Sequence, residues 1–96
     1  MLRHIVFFSA APDVPRGDIV DGLRRLGTIP HVLRFEVAEN LRVDQIANVV
    51  DVVVYAEFAN EAALHAYKAH PTYAEVTRRV RPLRDLRFAA DIPAGA

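Results

Sequence analysis

Tyr67, His70 and Tyr73 stand three residues apart in Ala66-Tyr67-Lys68-Ala69-His70-Pro71-Thr72-Tyr73. An imidazole, with an unperturbed pKa of about 6.5, is the usual general base at neutral pH. A phenol, at about 10, is rarely a base there. It does donate a hydrogen bond to a developing enolate. The set therefore suits proton abstraction beside a carbonyl, with Tyr67 and Tyr73 as donors and His70 as base. His4 is a second candidate base. It shares strand parity with Val6 and Phe8, and if that side faces the helices it joins Tyr67 in one pocket. His4, Phe8 and Phe58 are then the candidate substrate-binding residues. Each also has a purely structural explanation. Tyr67 follows Leu64 by three residues and would pack in the core. An imidazolium at His70 would stabilise the negative end of a helix dipole. His4 would bond backbone at a strand end.

Other chemistries lack a signal. His65 and His70 are five apart, and no HxxxH or HxH spacing occurs, so nothing points to a metal. No glycine-rich phosphate loop, serine elbow or paired-carboxylate motif is present, and no cofactor is implied. The absence of cysteine excludes a disulfide scaffold, a thiol nucleophile and a Cys-ligated metal. It also fits a cytoplasmic location. Twelve basic and twelve acidic residues cancel, which argues against nucleic acid or an anionic membrane as partner. The cluster Arg78, Arg79, Arg81 and Arg84 reads as a solvated or salt-bridged rim, or else as the mouth of an anionic-substrate site. The run Ile5 to Ala11 is short for a secretory signal, and Asp13 and Arg16 follow at once. No apolar run approaches the roughly 18 residues of a membrane span.

These residues need a scaffold, and the chain spells one domain over residues 1–96. Residues 3–9 are β-branched and aromatic, hence a strand. Pro12, Asp13 and Pro15 end it and open a helix. Ile19, Leu23 and Leu26 make that helix's apolar stripe. Gly17 and Gly22 weaken it, and Gly27 is placed to end it. Residues 31–38 alternate as a second strand, residues 40–48 make a loop, and residues 49–58 make the strongest strand. Asn60 caps the next helix and Pro71 breaks it. A further helical piece spans about Pro71 to Val80. Residues 83–92 alternate, with Leu86, Phe88, Ala90 and Ile92 on one side and Arg87 and Asp91 on the other. The order βαββαβ predicts an α+β, ferredoxin-like fold with a four-stranded antiparallel sheet and helices on one face.

Two helical regions cover only one face of such a sheet, and the other face should be polar. It is not. Strand 1 puts Val6 and Phe8 on one side but Ile5 and Phe7 on the other. Strand 3 puts Val52, Val54, Ala56 and Phe58 on one side but Val53 and Tyr55 on the other. With 52% hydrophobic residues and a thin core, a second copy of the same sheet is the expected cover, giving a two-fold homodimer. Loops 40–48 and 93–96 are the alternative cover, though short and polar.

The pieces His4-Ile5-Val6, Ile29-Pro30-His31-Val32, Asp51, Glu57-Phe58, Ala66-Tyr67 with His70-Pro71, and Asp91 occur in an order and spacing that resembles the stress-responsive dimeric α/β barrel (Dabb) domain family. The resemblance covers nearly the whole chain. It implies a homodimer whose two sheets close into an α/β barrel. It also extends, more distantly, to olivetolic acid cyclase, which closes a linear polyketide without metal or cofactor using a Tyr and a His. The Tyr matches Tyr67. The His falls at Tyr73, a departure from the pattern. The resemblance implies a small-molecule ligand, an apolar or aromatic carbonyl compound, for a cofactor-independent cyclase, lyase or isomerase. A non-catalytic stress-response or binding protein and a cofactor-free monooxygenase-like barrel are the alternative readings.

Overall fold

The computed structural model describes residues 1–95. β1 (Leu2–Ala10) leads into α1 (Arg16–Arg24) and a 3-10 turn (Arg25–Thr28). β2 (Arg34–Glu39) and β3 (Val52–Phe58) follow. Then come α2 (Glu61–Ala69), α3 (Pro71–Val80) and β4 (Arg84–Pro93). The strands make one antiparallel sheet in the order β2-β3-β1-β4. This is the expected α+β, ferredoxin-like arrangement. Its thinnest dimension is 15 Å, which is one sheet and one helix layer.

Local chemistry explains the element boundaries. The Asn60 side chain accepts a hydrogen bond from Ala63 N at 2.9 Å and so starts α2. Pro71 is the first residue of α3, where its missing N–H is harmless. β2 begins at Arg34 rather than His31 because Val32 N bonds Ile29 O in a turn. The first helix does not end at Gly27. It ends at Arg24 and tightens into the 3-10 turn. Gly27 serves packing instead: a Cβ there would lie 2.8 Å from the Phe35 ring. Gly22 likewise admits α3, since its Cβ would meet Val80 Cγ2 at 2.9 Å.

Cross-strand register sorts the two faces of the sheet. Val6, Phe8, Val52, Val54, Ala56 and Phe58 point to the helices and pack with Ile19, Leu23, Leu26, Leu64, Val76 and Val80 in one buried core. Ile5 and Phe7 lie on the opposite face. They pair with Tyr55 and Val53 on β3 and with Ala90 and Phe88 on β4. That second face is incompletely covered: Phe88 is 55% exposed and Ile92 41%. The apolar stripe of β4 thus lies on the uncovered face. Arg87 and Asp91 face the helices, opposite Phe8 and His4.

Asp51 fastens the end of the sheet nearest the β2–β3 loop. It is buried, accepts from Ala10 N at 2.6 Å, and is ion-paired with Arg42 of the loop. No helix among the described residues is long and apolar enough to cross a membrane.

Candidate functional site

Between the helices and the sheet lies a cavity of about 350 Å³, within the range of small-molecule sites. β1 supplies His4, Val6 and Phe8, and β3 supplies Val54. α1 and the 3-10 turn supply Leu23 and Leu26. α2 and α3 supply Tyr67, Tyr73, Val76 and Val80. Apolar walls with a few convergent polar groups are what a small-molecule site requires.

His4 is 1% exposed, and its Nδ1 lies 2.6 Å from Asp91 Oδ1. A carboxylate only accepts, so Nδ1 carries the proton and Nε2 keeps its lone pair. Two opposed effects act on this ring. Burial lowers its pKa and is the larger; the bond and charge of Asp91 raise it; Lys68 and Arg87 lower it further. The net shift is downward from the usual histidine value. His4 is thus a neutral imidazole held in one tautomer and one orientation at neutral pH.

Tyr67 is 1% exposed. Its ring packs 4.9 Å from Phe58, 5.3 Å from Tyr73 and 6.4 Å from His4, centroid to centroid. Burial pushes its pKa well above the usual phenol value, with the neighbouring Tyr73 adding to the rise. The hydroxyl therefore stays protonated and can act only as donor or neutral acceptor. Among the described residues it has no hydrogen-bond partner, while its residue lines the cavity.

The structure thus brings His4, Phe8, Tyr67 and Tyr73 to one cavity wall. Phe58 and His70 do not line it. Phe58 is fully buried behind Tyr67 and fixes that ring. His70 is the hinge between α2 and α3. Its Nδ1 accepts from Thr72 N at 3.1 Å and caps the start of α3. This contact uses Nδ1 as an acceptor at the N-terminus of α3.

Sequence reasoning did not assign Asp91 its place beside His4, nor Arg87 and Lys68 theirs at the cavity. A usable signal existed. β4 turns its apolar stripe away from the helices, so Arg87 and Asp91, flanking Ala89, point inward, which a purely structural strand would avoid. The pairing of positions 4 and 91, 87 residues apart, is a matter of register. Among the described residues no three His, Cys, Asp or Glu side chains converge as a metal site needs.

No curated protein matches the chain in sequence. Its fold is close to several solved structures. A Dabb family protein with a ferredoxin-like fold from Mesorhizobium loti is 27% identical, with a TM-score of 0.77 over 98% of this chain and 97% of that one. A dimeric ferredoxin-like protein of unknown function from Thermobifida fusca is 23% identical, with a TM-score of 0.80 over 95% and 88%. Hydroxynitrile lyase from Passiflora edulis is 17% identical, with a TM-score of 0.81 over 99% and 95%. The family model of the stress responsive A/B barrel domain, Dabb, matches residues 2–94. By that match the chain belongs to the stress-responsive α/β barrel domain family.

Proposed function

We propose that this protein is a homodimer that binds a small apolar or aromatic carbonyl compound in the cavity of each protomer and performs cofactor-independent enolate chemistry on it. The observation that carries the reading is the meeting, in one cavity, of an oriented, neutral base and a donor with no partner among the described residues. His4 Nε2 takes a proton from the carbon beside the carbonyl. The C–H electron pair forms a C=C bond to the carbonyl carbon, the C=O π pair moves onto the oxygen, and Tyr67 donates a hydrogen bond to that oxygen. Asp91 stabilises the imidazolium that forms. The enolate carbon then attacks a second carbonyl carbon, whose π pair becomes an alkoxide that takes the proton back from the His4 imidazolium, closing a ring; or the imidazolium returns the proton at another carbon, giving an isomer. Tyr73, beside Tyr67, is a second donor to the same ligand. His70 acts by capping α3, which carries Tyr73. A protein without cysteine suits the reducing cytoplasm, where we place this activity.

The dimer half of the reading rests on the uncovered sheet face. Ile5, Phe7, Val53, Phe88 and Ile92 form an apolar strip there. Arg3, on the same face, has a buried Nε without a hydrogen-bond partner among the described residues. A second sheet laid on this face buries the strip and offers that donor an acceptor. The dimeric Thermobifida fusca neighbour agrees with this.

The test is hydrogen–deuterium exchange at the central carbon of benzoylacetone, an aryl 1,3-diketone, followed by NMR. The folded protein is expected to accelerate exchange. Tyr67→Phe should lower the protein-catalysed rate by about 10²-fold, the usual loss for one oxyanion donor. Ligand binding without any exchange would instead favour a non-catalytic binding protein.

A further inference from the structure

The polar residues of the cavity are not balanced in charge. Lys68, Arg81, Arg84 and Arg87 all line it, and among the described residues no acidic one does. The chain as a whole carries equal numbers of acidic and basic groups, so this positive charge is segregated. Five other arginines are matched locally: Arg16 with Glu39, Arg24 with Asp21, Arg25 with Glu75, Arg34 with Glu36 and Arg42 with Asp51; Arg3, Arg78 and Arg79 have no such match among the described residues, but none of them lines this cavity. Among the described residues none of the four cavity cations has an ion-pair partner. Arg84 makes only a long 3.5 Å hydrogen bond to the Asp85 carbonyl. Asp91, the acidic group nearest the ring system, is bonded to His4.

Four like charges around one opening repel one another, and an anion between them removes that repulsion. The three guanidinium groups present planar forks that match a carboxylate through two parallel hydrogen bonds. The inner wall is different in kind. Tyr67 is buried, its hydroxyl has no hydrogen-bond partner among the described residues, and the apolar side chains of Val6, Phe8 and Leu26 line the same cavity. The charge of Arg87 reaches both His4 and Tyr67, so mouth and inner wall lie within the span of one small molecule.

We propose that the cavity selects carbonyl compounds that also bear a carboxylate, with the acid group held by Lys68, Arg81, Arg84 and Arg87 and the carbonyl presented to Tyr67 and His4. This rests on the cavity being a carbonyl site, and it adds the substrate class. A polarity along the ligand follows: its anionic end faces the opening and its reacting end faces the sheet. Neutral ketones then bind through apolar contact alone and without fixed direction.

A matched pair of ligands separates the two ideas. 3-Benzoylpropionate and its methyl ester share the aryl ketone and differ in charge. Calorimetric titration of the intact protein at low salt should give an acid Kd at least about tenfold below that of the ester, the effect of one or two charge-assisted hydrogen bonds. High salt should erase much of the difference. The double variant Arg84→Gln/Arg87→Gln should bring the acid within about twofold of the ester, with circular dichroism confirming the fold. Arg24→Gln, an exposed arginine away from the cavity, should leave the acid's advantage intact. Equal Kd values for acid and ester in the unmodified protein would overturn the carboxylate inference and leave the carbonyl site standing. Binding of neither would overturn both. Displacement of the acid by inorganic phosphate far more readily than by acetate would assign the mouth to a phosphoryl group and overturn the carboxylate class.

Discussion

His4 and Tyr67 are both about as buried as the aliphatic core, yet neither is spent on packing alone. Tyr67 keeps a hydroxyl with no partner among the described residues, so deleting that oxygen strands none of their polar groups. Tyr67→Phe should therefore shift unfolding free energy by less than about 1 kcal/mol while lowering the exchange rate. Chemical denaturation of the variant, read beside its NMR exchange rate, checks both halves. His4 gives a pH dependence with a definite sign. Its folded pKa lies below the unfolded value of about 6.5, so below that pH the unfolded chain binds the extra proton more readily. Its contribution to stability is full above about pH 6.5 and is lost as pH falls from there through the lower folded value. His4→Gln should flatten that part of a stability-versus-pH curve measured by urea unfolding. The same protonation removes the base, so the exchange rate should fall over the same acidic range.

At the level of elements, the site depends on how closely α1 and α3 approach, because the cavity lies beneath them. Gly22 permits that approach. Alanine there gains about 1 kcal/mol of helix propensity, but its Cβ would sit 2.9 Å from Val80 Cγ2. Val80 is β-branched and 3% exposed, so it cannot swing clear, and overpacking of this kind costs about 1–3 kcal/mol. Gly22→Ala is expected to lower the unfolding midpoint despite the better propensity. Adding Val80→Ala should restore part of the close approach and show strong coupling in a double-mutant cycle. Recovery no greater than the sum of the single effects would mean that the contact does not limit the packing. The His70–Pro71 break is the other structural device. It ends α2 just after Tyr67 and starts α3 just before Tyr73, so two tyrosines on different helices meet with ring centroids 5.3 Å apart.

For the whole molecule, one sheet face is covered by helices and the other is half covered by nothing in the protomer. Phe88, near the middle of the uncovered strip and opposite Phe7, is the position most sensitive to charge. Phe88→Asp should convert the proposed dimer to monomer, read as a halving of mass in analytical ultracentrifugation. A carboxylate buried without a partner between two sheets costs several kcal/mol. An unchanged sedimentation mass, whether monomer or dimer, would remove this face from the interface. The cavity opens on the helix side of the same sheet. Loss of the dimer is therefore expected to weaken catalysis indirectly, through the stability of β1 and β4, which carry His4 and Asp91.

Local pattern was enough for most of the architecture. The β-branched and aromatic runs of β1 and β3, the alternation in β2 and β4, the Asn60 cap and the Pro71 break lie within a few residues of the structures they cause, and the elements were legible for that reason. The two-sided strands also pointed to a second layer over the sheet. Tyr67 and Tyr73 were legible as candidates on either side of the Pro71 break. Three things were decided only by the tertiary structure. Gly22 and Gly27 read as helix breakers but act as contacts, since the neighbours that need the space come from β2 and α3. His70 read as a base or a dipole partner, but the turn of the chain places Thr72 N within its reach. Asp91 acquired its place beside His4 from strand register, which joins residues 87 positions apart. Periodicity says which side of a strand a residue faces. It takes the folded sheet to say which residue it meets there, because that choice is made by packing across the whole core.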